Sequence, residues 1–508
     1  MFNIRPLCFW AFLVVVTIVL INANFFAAVA WVVVVIALLI ACRFIKTKDP
    51  IVRFFGSSRF FIGGAVTLCL IVMLSFTITT LVYSHPKTYG GTHELTGTVE
   101  NYKLRPDGTS TCILSAVSFE GHSVSGRVCA FIDGYNADAA VDFTTGSRVR
   151  FDTRLNAGTA TLLNINNRVR YTANVKFENI SVTGRSYSVR HAVLRYTYNF
   201  YNRFLSPQNA ALMYSMTFGD RDALDDDINF TFATAGLTHV LAVSGLHVGI
   251  LIVMLLGLLK LCRVPAKYRF FIIFCVLLFY CYLCDFRFSI LRACIMFLTI
   301  LFMRLFLRRV DMLSNLSFAG ILTLLVFPHA LWSWSFTLSY ACMFGIALFY
   351  QPINKRLEKL IIPRSPNWLE WCQRKILGFI AIYFCVMLAT WPMLIKYFGY
   401  FPIFGIVTSV VFMPILVLAF QLSIIALVTW AGQIFLYVVD PLATFVVAGT
   451  RMIAKIPFAT IDATNGGYWF LFYLVGLILC TRFVFAPPKI RYSCALALFA
   501  VYTIGFFV

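Results

Sequence analysis

The residues best suited to chemistry stand together in GLTHVLAVSGLHVG, residues 236–249: His239, Ser244, Gly245 and His247, inside an apolar run that continues to about Leu259. Bilayer interiors exclude such polar groups unless they have work to do or partners to meet. A Ser-Gly pair is a natural break in a membrane helix, and the two histidines flank it by roughly one turn on either side. A discontinuous helix lining an aqueous path reads this way. The competing chemistry is a nucleophile and base, Ser244 with His239 or His247. Their spacing does not establish contact, and no carboxylate that could orient the base lies in the span.

A second set is Asp285, Arg287, Arg292 and Arg304, in or beside another apolar stretch. Charge at membrane depth faces a partner or water. Arg292 reads either as a contact for passing phosphates or the path wall, or as half of a structural ion pair with Asp285 or another helix. Cys281 and Cys284 form a C-x-x-C, a weak signal for metal or redox chemistry when isolated at a membrane boundary. The seven histidines contain no H-x-H-x-D-H set, so no dinuclear metal hydrolase, no metal site and no cofactor is expected. GxxxxGK[ST] is also absent.

The elements that position these residues are membrane helices. Sixty per cent hydrophobic and 12% charged residues, with a mean hydropathy of +0.83, define a polytopic membrane protein. The net charge of +21 invites a nucleic-acid reading, but Lys and Arg first serve orientation. Apolar windows predict spans near 8–21, 25–42, 60–83, 236–259, 270–284, 286–306, 312–327, 331–350, 376–395, 403–430, 433–454, 468–485 and 492–508. Pro402, Pro414, Pro441 and Pro457 make half-helices or re-entrant segments an alternative across 396–467. The first apolar stretch runs on into a second span with no small-residue cleavage pattern, so it is expected to stay in the mature protein.

Arg43, Lys46, Lys48, Arg53 and Arg59 against Asp49 mark one loop as cytoplasmic. Two further basic loops, Lys260 to Arg269 and Lys355 to Lys375, agree in register. The third span then delivers residues 84–190 to the outside. That segment has period-two strands separated by Gly, Asn and Asp, as in ELTGTVENYKL and GSRVRFDTRL, which predicts an antiparallel β domain; five or six short strands in about a hundred residues fit a small barrel, and the strand pattern alone suits a small sandwich equally. Its second half is basic, with Arg148, Arg150, Arg154, Arg168 and Arg170 as candidates to track a phosphate backbone. Tyr135, Phe143, Phe151, Tyr171 and Phe177 read as core or as base-stacking platforms. Cys112 and Cys129, on successive strands in an oxidising compartment, are expected to form a disulfide. Arg190–Leu205 reads as an interfacial helix, followed by short helices around Gly219-Asp220, with Asp225–Asp227 near the start of the second.

The block Ser215–Ile250 resembles the ComEC competence family, whose central domain carries a Gly-Asp turn, a short helix and an H-x-x-A-x-S-G-x-H segment; here these are Gly219, Asp220, His239, Ala242, Ser244, Gly245 and His247. Arg292, Ala293 and Met296 match the family's Arg-Ala pair with a following Met, and Phe336, Leu338 and Ser339 its Phe-x-Leu-Ser segment. Thr337 replaces the frequent Gln, and Ser409 stands where an Asn precedes a Pro. The resemblance implies an oligonucleotide-binding-type fold for the 84–190 barrel. It also implies a DNA path lined by Asp220, His239, Ser244, Gly245, His247 and Arg292. Long family members continue into a metallo-β-lactamase-like domain, so a short form is expected here.

These readings combine into four segments: a three-helix segment at 1–83, the external barrel at 84–190, interfacial and short helices at 191–235, and a channel domain at 236–508. The expected function is a channel in the inner, cytoplasmic membrane that passes single-stranded DNA to the cytoplasm during natural transformation, without catalysis. Single-stranded DNA, the lipid bilayer, a DNA receptor and a separate ATPase and nuclease are the expected partners. A path between two copies of the chain, as a homo-oligomer, stays open. A transporter of small molecules or another polymer and an intramembrane Ser/His hydrolase are the rival readings.

Overall fold

The structure is a computed structural model that describes residues 6–23, 59–84, 91–103, 109–124, 126–133, 146–157, 169–185, 188–221, 224–360, 367–429, 432–457, 459–462 and 473. The spans expected at 25–42, 468–485 and 492–508 lie outside the described residues, as does all but Tyr473 of the chain beyond 462. Two compact units interleave along the sequence: residues 1–197 with 265–333, and residues 198–264 with 334–508.

Among the described residues six helices are long and apolar enough to cross a membrane: Ala266–Leu283, Phe288–Leu305, Trp334–Leu360, Trp368–Ile395, Gly405–Val428 and Gln433–Ala454. Shorter apolar helices cover Trp10–Asn22, Thr67–Leu81, Gly245–Leu261 and Met312–Val326. The prolines of 396–467 do not divide the chain into half-helices. Pro414 lies inside Gly405–Val428 and Pro441 inside Gln433–Ala454, both continuous. Pro402 instead ends the short strand Tyr400–Pro402, which pairs antiparallel with Thr460–Asp462.

In the first unit, the strands β1 (His93–Lys103), β2 (Thr109–Phe119), β3 (His122–Ser123), β4 (Arg127–Asp133), β5 (Ser147–Thr153), β6 (Asn156–Ala157), β7 (Val169–Lys176) and β8 (Ser181–Arg185) form one sheet ordered β6-β7-β4-β2-β1-β5-β8, with β3 on β2. Alternation in β5 is complete: Ser147, Val149, Phe151 and Thr153 point inward, and Arg148, Arg150 and Asp152 outward. Inward residues of five strands, among them Leu95, Leu114, Val128, Val149, Phe151 and Tyr171, build one apolar core.

Two features differ from the closed antiparallel barrel expected. The sheet is open, since no ladder joins β6 to β8 among the described residues, and β4 and β7 run parallel. Bulges in the β1–β2 pairing still curl it, with Ala116 at φ +49 as the extra residue. The curl lets Thr153 Oγ1 of β5 donate to the Asn174 carbonyl of β7 at 3.0 Å. A contact of one hydroxyl is not a strand ladder, and β6, two residues long, offers little backbone to close one.

The disulfide expected between Cys112 and Cys129 is also absent; both are free thiols. The strands are neighbours, as the sequence implied, but Cys112 pairs with Ala130 and Cys129 with Ile113. That one-residue offset puts the two side chains on opposite faces of the sheet. Cys112 is buried in the core, and burial raises its thiol pKa well above the ordinary value.

The sheet is held to its unit by charge. Arg127 of β4 donates twice to Asp285, at 2.8 Å each, so the partner of Asp285 is a strand arginine rather than Arg292. Arg190 reaches Glu100 of β1 at 2.6 Å and the Leu283 carbonyl at 3.1 Å. Ser115 Oγ also donates to Glu100 at 2.7 Å, and His191 Nε2 lies 3.6 Å from it. Burial pushes the Glu100 carboxyl up, but His191, Ser115, Arg190 and Arg127 together outweigh it and hold the group down at about 2.

A carboxyl depressed from 4.5 to about 2 contributes stability that is complete above the unfolded value and is lost as pH falls through the folded one. Thermal melts of the full chain in detergent, followed by the sheet's circular dichroism, should hold level down to about pH 5 and decline between 4.5 and 2. In Glu100→Gln that acid-dependent decline, of the order of 1–3 kcal/mol after solvent screening, should be missing and the neutral-pH melting temperature lower.

Candidate functional site: a broken apolar helix

The 236–259 stretch is interrupted at the predicted place. A short helix, Thr238–Leu241, gives way to extended backbone at Ala242 and Ser244, and Gly245–Leu261 begins a new helix. A new helix start leaves backbone N–H groups without partners, and an apolar layer offers no water to take them. Ser244 and His247 answer this reciprocally. Leu246 N–H donates to Ser244 Oγ at 3.2 Å, and Ser244 N–H donates to His247 Nδ1 at 3.1 Å. This is a capping box with histidine in the place usually held by Glu or Gln. Because Nδ1 accepts a backbone proton, the neutral ring carries its own proton on Nε2. His247 is buried, its ring edge-on to Phe420 with centroids 4.7 Å apart.

His239 is arranged differently. Its side chain is exposed, and Nδ1 lies 3.2 Å from the Gly236 carbonyl. The two histidines of the motif therefore divide: His247 faces inward and fixes the helix start, and His239 is presented at the surface of its unit.

Residues remote in sequence brace the break. Thr408 Oγ1 donates to the Ala235 carbonyl at 2.6 Å, and Arg221 Nη2 to the Thr238 carbonyl at 2.9 Å. Ser215 Oγ lies 3.3 Å from the Leu241 carbonyl. Gly236 is at φ +75, and a Cβ there would fall 2.9 Å from the Gly405 Cα. None of these contacts has a local signature, since Thr408 and Gly405 lie in an otherwise ordinary apolar helix. Gly219 ends helix Pro207–Phe218 at φ +76, which makes the Gly-Asp turn, and leaves Asp220 half-buried beside Arg221. Asp225 makes no side-chain cap for helix Asp226–Thr234; Asp227 instead pairs with Arg451 at 3.0 Å.

Other candidates fall elsewhere. Arg292 belongs to the first unit, where it is 5% exposed and Nη1 lies 3.6 Å from Met296 Sδ. The sequence joined it to the His-Ser motif, but the fold places the two in different units. On the sheet, Arg148, Arg150 and Arg154 are exposed, and Arg150 pairs with Glu94 at 3.0 Å. Arg170 is on β7, with three strands between it and β5 in the sheet order, and Arg168 lies outside the described residues. Of the aromatic candidates, Phe151 and Tyr171 are core residues, Phe177 packs against the core, and Tyr135 and Phe143 lie outside the described residues.

Ser244 Oγ is also 3.1 Å from His247 Nδ1, the contact a nucleophile and base would need. The same Nδ1 lone pair is already the acceptor of the Ser244 N–H, so the geometry that supports a cap competes with proton abstraction.

The fold and site define a class: a multi-pass helical membrane protein with an inserted β-sheet, centred on a self-capped break in an apolar helix. The family model described as Competence protein matches residues 216–488, more than half of the chain, and the chain belongs to that family. It is similar to ComE operon protein 3 of Bacillus subtilis (strain 168), 29% identical over 167 residues, 32% of this chain and 22% of the relative. It is also similar to an uncharacterized protein of Aquifex aeolicus (strain VF5), 36% identical over 126 residues, 25% of this chain and 29% of the relative. The matched stretches thus span under a third of either relative's length. No solved structure matches.

Substitutions separate cap from chemistry. Ser244→Ala should cost about 1 kcal/mol and Ser244→Asn, a good cap without a hydroxyl, only a few tenths. Gly236→Ala should cost about 3 kcal/mol, from left-handed backbone and the blocked approach to Gly405. Thermal unfolding of each variant in detergent checks all three.

Proposed function

We propose that this protein is a membrane channel for DNA uptake in natural transformation, passing one strand to the cytoplasm. The observation that carries the reading is the broken apolar helix with His239, Ser244 and His247, which lies inside the stretch matched by the Competence protein family. In this reading His239 and Ser244 hydrate a narrow path and offer hydrogen bonds to a single strand, and His247 holds the helix start that presents them. Unpaired bases pass between helices far more readily than a duplex. Asp220, in the same unit as the motif, belongs to the wall of the path.

The basic loops orient the chain with the sheet outside the cytoplasmic membrane, where the outward arginines of β5 and Arg154 meet incoming phosphates. With no phosphate-binding loop in the sequence, the driving force comes from a partner ATPase or from capture of the strand inside the cell. A separate receptor and nuclease complete the system, and the chain itself is not an enzyme. The Ser244 to His247 distance favours one rival, an intramembrane hydrolase.

Cells lacking the protein should bind labelled donor DNA outside but not internalise it, and the wild-type gene should restore uptake. His239→Ala should reduce uptake at least tenfold while the protein still reaches the membrane, whereas Ser244→Asn, which caps without a nucleophile, should retain it. Normal uptake in the deletion strain would overturn the channel reading. Loss of uptake in Ser244→Asn with unchanged stability would favour the hydrolase.

A further inference from the structure

The C-x-x-C pairs Cys281 with Cys284 in sequence, and the fold does otherwise. Cys281 lies in the last turn of helix Ala266–Leu283, and Cys294 lies in the second turn of the next helix, Phe288–Leu305. Their sulfurs are 3.3 Å apart, and each residue is 3% exposed. Cys284 is engaged separately, by the Tyr280 hydroxyl. Among the described residues no set of His, Cys, Asp or Glu could hold a metal, so the thiols do not form a metal centre.

What lies between the two cysteines gives their contact a use. Asp285 and Phe286 both adopt left-handed backbone, at φ +55 and +49, which side chains resist. The same turn carries Asp285, held by Arg127, and the Leu283 carbonyl, held by Arg190. The connection that anchors the sheet is therefore a strained turn whose two ends are joined, at their base, by a pair of thiols in contact.

We propose that Cys281 and Cys294 form a disulfide that staples this turn. The inference rests on the orientation given under Proposed function, which puts the sheet-bearing end of these helices in an oxidising compartment. One thiolate attacks the disulfide of a protein thiol oxidase, giving a mixed disulfide. The second thiolate then displaces the oxidase sulfur. The oxidase disulfide takes up two electrons and two protons and leaves as a dithiol, so the exchange balances. Closing the contact brings the sulfurs to about 2.05 Å. Burial places the exchange before the two helices pack and shields the bond from reductant afterwards.

Trypsin makes the test direct, because Arg287 and Arg292 separate the cysteines. Peptide 293–304 contains Cys294 as its only cysteine, and peptide 270–287 contains Cys275, Cys281 and Cys284. Full-length protein is alkylated in denaturant without reductant, digested and weighed, alongside a reporter for the side on which the sheet lies. The expected product is the two peptides joined with loss of two hydrogens, released by reduction, retained in Cys284→Ser and lost in Cys281→Ser. The bond should resist reductant in folded protein and yield after denaturation. Alkylated Cys281 and Cys294 with the sheet outside would overturn the disulfide alone, as would a joined product that survives Cys281→Ser. A sheet on the cytoplasmic side would overturn the orientation, and the disulfide with it.

Discussion

A helix that starts within an apolar layer has amide protons and nothing outside itself to bind them. Much of the second unit is arranged around that deficit. The break at 242–244 is tolerable because Ser244 and His247 take and give the missing hydrogen bonds within three residues of each other. Their rigidity in turn lets the preceding turn be pinned from outside, by Thr408 on the Ala235 carbonyl and by the close approach of Gly405 to Gly236. If the cap were absent, the chain could satisfy its backbone only by continuing as one helix, and the presentation of His239 would be lost.

The first unit solves a different problem, holding a curled, open sheet against membrane helices. Apolar packing makes the sheet's own core, but directional contacts attach it: Arg127 to Asp285, and Arg190 to both Glu100 and the Leu283 carbonyl. Arginine suits the task because its fork spans a carboxylate or reaches two acceptors at once. Helix Val189–Phe204 contributes at its start, with His191, Leu194 and Thr197 buried at helical spacing and Tyr196 exposed.

The six long apolar helices, the strands and the interruption at Ser244-Gly245 were legible in the sequence because each rests on local periodicity or on one residue pair. The cap itself could have been read too, since Ser244 and His247 have capping-box spacing once histidine is admitted as the acceptor. What was not legible depends on register or on distance along the chain. Cys112 and Cys129 were rightly placed on adjacent strands, yet a one-residue offset decides which face each occupies. Sheet closure failed for a related reason, because strand content does not specify the bulges and edge lengths that bring a last strand to the first. Thr408 and Gly405 carry no mark of their role, and the partner of Asp285 is a strand arginine rather than the nearer Arg292. The Ser215–Ile250 pattern was the most specific signal in the chain, and it falls almost wholly within the stretch matched by the family.

The span of 173 residues between Ala235 and Thr408 has a meaning in time as well as in space. At about 5–20 residues per second, roughly 10 to 35 s separate synthesis of the turn from synthesis of the residue that pins it. Through that interval the ribosome has delivered a histidine-bearing break into an apolar environment with its long-range support still unmade. The contacts already available are the nearer ones: Gly236 with His239, Ser244 with His247, and Arg221 and Ser215 on the Thr238 and Leu241 carbonyls. The self-contained cap thus serves the nascent chain first, protecting the interruption until the later helices exist to hold it.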